Sequence, residues 1–130
     1  MIETGSFRRS KSSATDVLLQ RAGVCRDFAH VAITLSRAVG IPARYVSGYG
    51  VDVEPQDFHG FFEAYIGTNW YLFDPTGMVR SNALVRIAHG RDAADTPFAT
   101  LVGRANLVEK SVDVTVDGTL DPDQAASSTV

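Results

Sequence analysis

Cysteine occurs once in the 130 residues, at position 25. A single thiol excludes an internal disulfide framework. One cysteine and three scattered histidines, with no close ligand pair, do not resemble the spacing of a structural zinc site. Long apolar runs are missing too: nothing approaches the roughly 18 residues of a membrane span, and no signal-peptide core follows Met1. The default expectation is therefore a cytoplasmic protein with no membrane partner. Positive charge is in deficit, 12 Lys and Arg against 15 Asp and Glu for a net charge of −3, which argues against nucleic acid as the main partner. The only basic cluster, Arg8, Arg9 and Lys11, reads as a solvated arm. Internal repeats are absent.

What is present is a chain with 45% hydrophobic residues and a length suited to one domain around one core. Residues 1–12 are polar and unpatterned, and are expected to form a flexible arm. Ser13 and Asp16 stand at capping-box spacing before Val17, Leu18 and Leu19, predicting a short helix that ends near Arg21. The next helix has the clearest signature. Val24, Phe28, Val31, Ala32, Leu35 and Val39 recur at three- and four-residue steps, predicting one buried face, with Gly40 and Pro42 to end it.

After Pro42 the period changes to two. Strands are expected over 43–51, 59–66, 70–74 and 83–88, and again over 111–118, where Val112, Val114 and Val116 alternate with polar residues. Residues 90–98 are expected to be an ordered or partly ordered loop, with Arg91, Asp92 and Asp95 fixing it through caps and ion pairs. Residues 119–130 offer little to pack and are expected to fray. Helices followed by an antiparallel sheet make an α+β fold, with a core over 13–118.

The lone cysteine sits in the first turn of its helix. Free cysteine is often simply a core residue. There, however, unpaired backbone N–H groups and the helix dipole favour an anion and lower a thiol pKa. A nucleophile also needs a base. His30 lies five residues along the same helix, about 140° around its axis, and points elsewhere. His89 has no obvious carboxylate partner. His59 opens a strand, and Asp74 closes the next one.

If Gly67 and Thr68 form a two-residue turn, Ile66 pairs with Asn69 and Phe61 falls opposite Asp74. His59 then shares a face with Asp74 on the diagonal, roughly 7 Å between β-carbons, within reach of an imidazole–carboxylate bond. A one-residue slip would separate them. Read singly, His59 could be a strand-end surface residue and Asp74 a turn former before Pro75. Trp70, Tyr71 and Phe73 read as hairpin packing, whereas Tyr45 and Tyr49 could either pack or meet substrate.

The segments "GVCRDFAHVAITLSRAVGIPARYVSGYG" and "HGFFEAYIGTNWYLFDPTG" resemble the transglutaminase-like superfamily of papain-like thiol enzymes in its bacterial form, over roughly residues 13–98. Where that family commonly has Ala-Trp after the histidine, this chain has Gly60–Phe61. The resemblance implies a papain-like core with Cys25 as nucleophile, His59 as general base and acid, and Asp74 orienting His59. It implies acyl transfer on a protein or peptide amide, resolved by water or by an amine acceptor, with no cofactor. Some animal relatives use calcium, but Asp52, Glu54 and Asp57 read more simply as a solvated loop. The competing expectation is a silent fragment of the same fold, serving as a binding module.

Overall fold

The computed structural model describes residues 24–54, 56–121 and 127–128. The arm expected over 1–12 and the helix expected over 13–21 lie outside them. Helix α1 spans Cys25–Ala38, with Val24 as its N-cap in an extended conformation. Valine has no side-chain acceptor, so the cap is closed from within the helix: the Asp27 carboxylate accepts from the Val24 N–H at 3.2 Å. At the other end the Ile41 N–H donates to the Ser36 carbonyl at 2.9 Å and the Gly40 N–H to the Arg37 carbonyl at 3.1 Å. Those two bonds make a Schellman motif, and Pro42 follows it. The Arg37 guanidinium then ties the helix end to the Ala43 and Arg91 carbonyls.

The sheet runs antiparallel throughout, in the order β4-β1-β2-β3-β5. Its strands are β1 (Ala43–Gly50), β2 (Phe58–Ile66), β3 (Asn69–Phe73), β4 (Leu84–Gly90) and the two-residue β5 (Ser127–Ser128). Gly67 has φ +67° at the first turn position, and Ile66 pairs with Asn69, as the two-residue turn predicts.

Helix α1 packs on one face of the sheet, where Ala29 and Ile33 meet Ala43, Tyr45, Phe62 and Ala64. On the other face Val46, Phe61, Leu72, Val79 and Leu84 form a second cluster. Glu63 is fully buried and held by Arg44 at 2.6 Å and Arg86 at 3.2 Å, so the buried charge is paired from two sides.

Three expectations need correction or adjustment. The buried face of α1 is not the bulky stripe: Leu35 is 53% exposed and Val39 74%, while Val24 is exposed as well. The buried stripe is Ala29 and Ile33, with Ala32 packed beside it. Small residues on the helix face small residues on the strands, Ala43 and Ala64, which lets the backbones approach. Both stripes have helical period, and the sequence displays the bulkier one more loudly.

Residues 111–118 are not a strand. Val112 and Val114 are half-buried but Val116 is exposed, and the segment meets no ladder. It is held instead by the Gln56 side chain, whose amide donates to the Val114 carbonyl at 2.7 Å and accepts from its N–H at 2.9 Å. Within the tail expected to fray, Leu120 packs against the second cluster and Ser127–Ser128 pairs with Trp70 and Tyr71 of β3.

Candidate active site

Cys25 is the first residue of α1, so its backbone N–H belongs to the turn whose donors have no intrahelical acceptor. The helix abuts β2 where the strand begins. There the Gly60 N–H points at the sulfur, with 3.4 Å between nitrogen and Sγ. The same sulfur interacts with the His59 side chain, and each group shifts the other's proton affinity.

His59 Nε2 lies 2.9 Å from Asp74 Oδ2, which leaves Nδ1 as the ring nitrogen available to the sulfur. Both side chains are withdrawn from solvent, at 2% and 0% exposure. The His59 ring also stacks on Phe61, two residues along the same face of β2. The hairpin register thus produces the diagonal His59–Asp74 contact.

Asp74 serves two readings at once. Oδ1 accepts from the Thr76 N–H at 3.0 Å and from the Thr76 hydroxyl at 2.7 Å, forming the turn expected ahead of Pro75. Oδ2 accepts from the Val79 N–H at 3.1 Å while it faces His59. Four donors converge on one carboxylate, so its position does not depend on the histidine alone.

The electrostatics follow from this packing. Burial alone would raise the Cys25 thiol, but hydrogen bonds from His59 and the Gly60 N–H, with the nearby imidazolium charge, bring it below its ordinary value. Burial would depress His59, yet its bonds to Asp74 and Cys25 raise it to about 9. Burial likewise opposes ionisation of Asp74, and His59 and Thr76 more than reverse that. Both shifts favour the charged forms, thiolate for Cys25 and imidazolium for His59.

Cys25, His59 and Gly60 line a cavity of about 550 Å³ that also takes in Tyr45, Phe58, Ile87 and Phe98. Phe58 stacks on Phe98 and packs against Tyr49, giving the far wall an aromatic surface. Lys110 and Asp57 form an ion pair of 2.5 Å at the rim.

His30 is engaged elsewhere: its Nε2 accepts from the Ala93 N–H at 3.1 Å, and its ring lies 5.3 Å from that of Tyr45. His89 lies exposed on the edge strand β4. Arg91, Asp92 and Asp95 fix their own loop, Asp95 accepting from the Arg91 N–H at 2.9 Å and Asp92 from the Ala94 N–H at 2.9 Å. Asp52 pairs with Arg80, and among the described residues no group of three His, Cys, Asp or Glu side chains gathers as a metal site.

Sequence reasoning missed the Gly60 N–H as a donor to the sulfur, and Thr76 and Val79 as supports for Asp74. The Thr two residues after Asp74 was the available signal, since that spacing is an Asx turn. Phe98 reaches the cavity from a loop too distant in sequence for any local signal.

Comparison with known proteins points one way. The sequence model of the transglutaminase-like superfamily matches residues 3–75, more than half of the chain. The chain is 39% identical over 94 residues to the uncharacterized protein ML0607 of Mycobacterium leprae, covering 65% of this chain and 33% of that one. It is 34% identical over 128 residues to the uncharacterized protein Rv2569c of Mycobacterium tuberculosis, covering 82% of this chain and 38% of that one. A solved structure, described as a candidate cysteine protease from Cytophaga hutchinsonii, is 58% identical with a TM-score of 0.65 over 72% of this chain and 32% of its own. The chain therefore spans about a third of the length of these relatives.

Proposed function

Because this chain belongs to the transglutaminase-like superfamily, we propose that it carries out thiol-dependent acyl transfer on amide substrates, with Cys25 as nucleophile, His59 as general acid and base, and Asp74 orienting His59. The observation that carries this reading is the convergence of Cys25 Sγ, His59 and Asp74 at a helix start, with His59 Nε2 2.9 Å from Asp74 Oδ2 and with Cys25 and His59 on the wall of one cavity.

The thiolate attacks the amide carbonyl carbon. A C–S bond forms, and the carbonyl π pair moves onto oxygen beside the Cys25 backbone N–H. The oxyanion collapses, the C–N bond breaks, and the imidazolium gives its Nδ1 proton to the departing amine. A thioester remains, with a neutral His59. Water or an acceptor amine then enters and Nδ1 removes its proton. The second tetrahedral intermediate expels the thiolate, which restores the ion pair. Asp74 keeps the Nε2 proton in place throughout, so that Nδ1 is the nitrogen that gives and takes.

Water as the final acceptor makes the protein a hydrolase, and an amine makes it a transglutaminase. The likeness to a relative described as a candidate cysteine protease favours hydrolysis. Incubation with a labelled amine and a glutamine-rich protein, with Cys25→Ala as control, tests the proposal by mass spectrometry of the products. Incorporated label identifies a transferase, and deamidation or backbone cleavage a hydrolase. Absence of any Cys25-dependent product contradicts the proposal and favours a silent binding module.

A further inference from the structure

Tyr45 is 5% exposed and its ring packs between α1 and the sheet, yet no hydrogen bond among the described residues engages its hydroxyl. A buried phenol normally finds a partner for its O–H. Here the hydroxyl is placed by the pairing of β1 with β2. Tyr45 stands opposite Phe62, so Gly60 lies on its diagonal and on the same face. A β-carbon at Gly60 would lie 2.2 Å from the Tyr45 oxygen and 3.4 Å from the Cα of Arg26. The hydroxyl therefore occupies the space above Gly60 that a side chain would fill, beside the first turn of α1. Gly60 is also the residue whose N–H meets the Cys25 sulfur, and Tyr45, Gly60, Cys25 and His59 line one cavity.

Glycine at position 60 is thus a condition for this arrangement. The resemblance noted above puts alanine at this place in the family. In this chain the phenol oxygen takes up the room of that methyl group.

We propose that the Tyr45 hydroxyl is the second oxyanion donor of the site, acting with the Cys25 backbone N–H on the tetrahedral intermediate. This rests on the acyl-transfer reading above. It names a donor which the Cys25 helix does not itself supply. The phenol donates its O–H hydrogen to the developing O⁻ and takes it back in full when the carbonyl re-forms, so no proton is consumed. Burial and the neighbouring Cys25 thiolate both hold the phenol protonated, which keeps it a donor across the working pH range.

The test separates addition to a carbonyl from displacement at a saturated carbon. With p-nitrophenyl acetate, acylation passes through an oxyanion. With iodoacetamide, alkylation of the same sulfur does not. Tyr45→Phe should lower the rate of p-nitrophenolate release on the order of 10²-fold, in kcat rather than KM, and leave the alkylation rate of Cys25 unchanged. Intact alkylation also shows that the variant is folded and its thiolate formed. Equal acylation in wild type and Tyr45→Phe overturns the assignment, and so does parallel loss of acylation and alkylation, which would make Tyr45 a support for the thiolate.

Should Tyr45→Phe not fold, Gly60→Ala carries the same comparison, since its methyl group must displace the hydroxyl. Selective loss of acylation there supports the assignment and unchanged acylation refutes it. A wild-type protein that alkylates at Cys25 but never acylates sinks the acyl-transfer reading itself, and the two failures are thereby distinguishable.

Discussion

Replacing Asp74 by asparagine changes almost no volume but leaves the hydrogen-bond arithmetic unsolvable. The carboxylate accepts from the Thr76 N–H and hydroxyl on one oxygen and from the Val79 N–H on the other, which also faces His59 Nε2. An amide offers only one oxygen. If that oxygen stays with Thr76, the NH₂ group faces the Val79 N–H, donor against donor. It also donates to Nε2, which moves the imidazole proton to Nδ1 and leaves no base facing the sulfur. If the amide is flipped, His59 is served but the Thr76 N–H loses its acceptor. Either way one enclosed N–H is left unmatched, at about 1–3 kcal/mol. Loss of the negative charge also lets His59 fall from about 9. Each unit by which it falls weakens the thiolate–imidazolium pair about tenfold. Urea unfolding should therefore show a loss of about 1–3 kcal/mol, and iodoacetamide labelling of Cys25 at pH 6 should slow by at least about tenfold. A variant as stable as wild type and equally reactive would refute the reasoning, because Asp74 would then neither anchor its turn nor hold the imidazole.

The packing of α1 is tested by a pair of truncations: Ile33 is 3% exposed and Leu35 53%. Ile33→Ala should lose about 2–5 kcal/mol and Leu35→Ala less than about 1, both by denaturant titration, and a reversed order would restore the bulkier stripe as the buried face. The raised pKa of His59 gives a second, pH-based expectation. Its protonated form is favoured by folding, so that stabilisation is complete below about 6.5 and is lost as pH rises through about 9. Acyl-transfer rate needs the same proton for the leaving amine and should fall along an alkaline limb near pH 9. A limb near pH 6.5 instead would mean that Asp74 and Cys25 do not hold the charge on His59.

The parts legible in the sequence are those fixed by short-range geometry. Gly67 in a two-residue turn sets the register of β2 against β3, and the period of two then puts His59 on the Asp74 face without any knowledge of the rest of the fold. Cys25 at a helix start was equally readable, because Gly23 and Val24 precede an unbroken helical period.

What escaped was set by partners far away in the chain. Alternation over 111–116 reports half-burial correctly for Val112 and Val114, but alternation cannot say whether a strand or the Gln56 amide supplies the neighbour. The Ala29–Ile33 stripe is quiet because its apolar content is small, and only Ala43 and Ala64 opposite it explain why small residues suffice. Tyr45 was ambiguous for the same reason. Whether a phenol packs or reaches a thiol depends on the β1–β2 diagonal to Gly60, some fifteen residues later in the chain.

The central claim is that His59 and the helix start make Cys25 a thiolate nucleophile, and its reactivity tests that most directly. Iodoacetamide labelling of Cys25, followed by peptide mass spectrometry from pH 5 to pH 10, should show rapid labelling already at pH 6. It should rise through a midpoint below the ordinary thiol value of 9.0, and His59→Ala should move that midpoint upward and slow labelling at pH 6. A profile that follows an ordinary thiol, identical in wild type and His59→Ala, would contradict the claim and return Cys25 to the role of a packing residue.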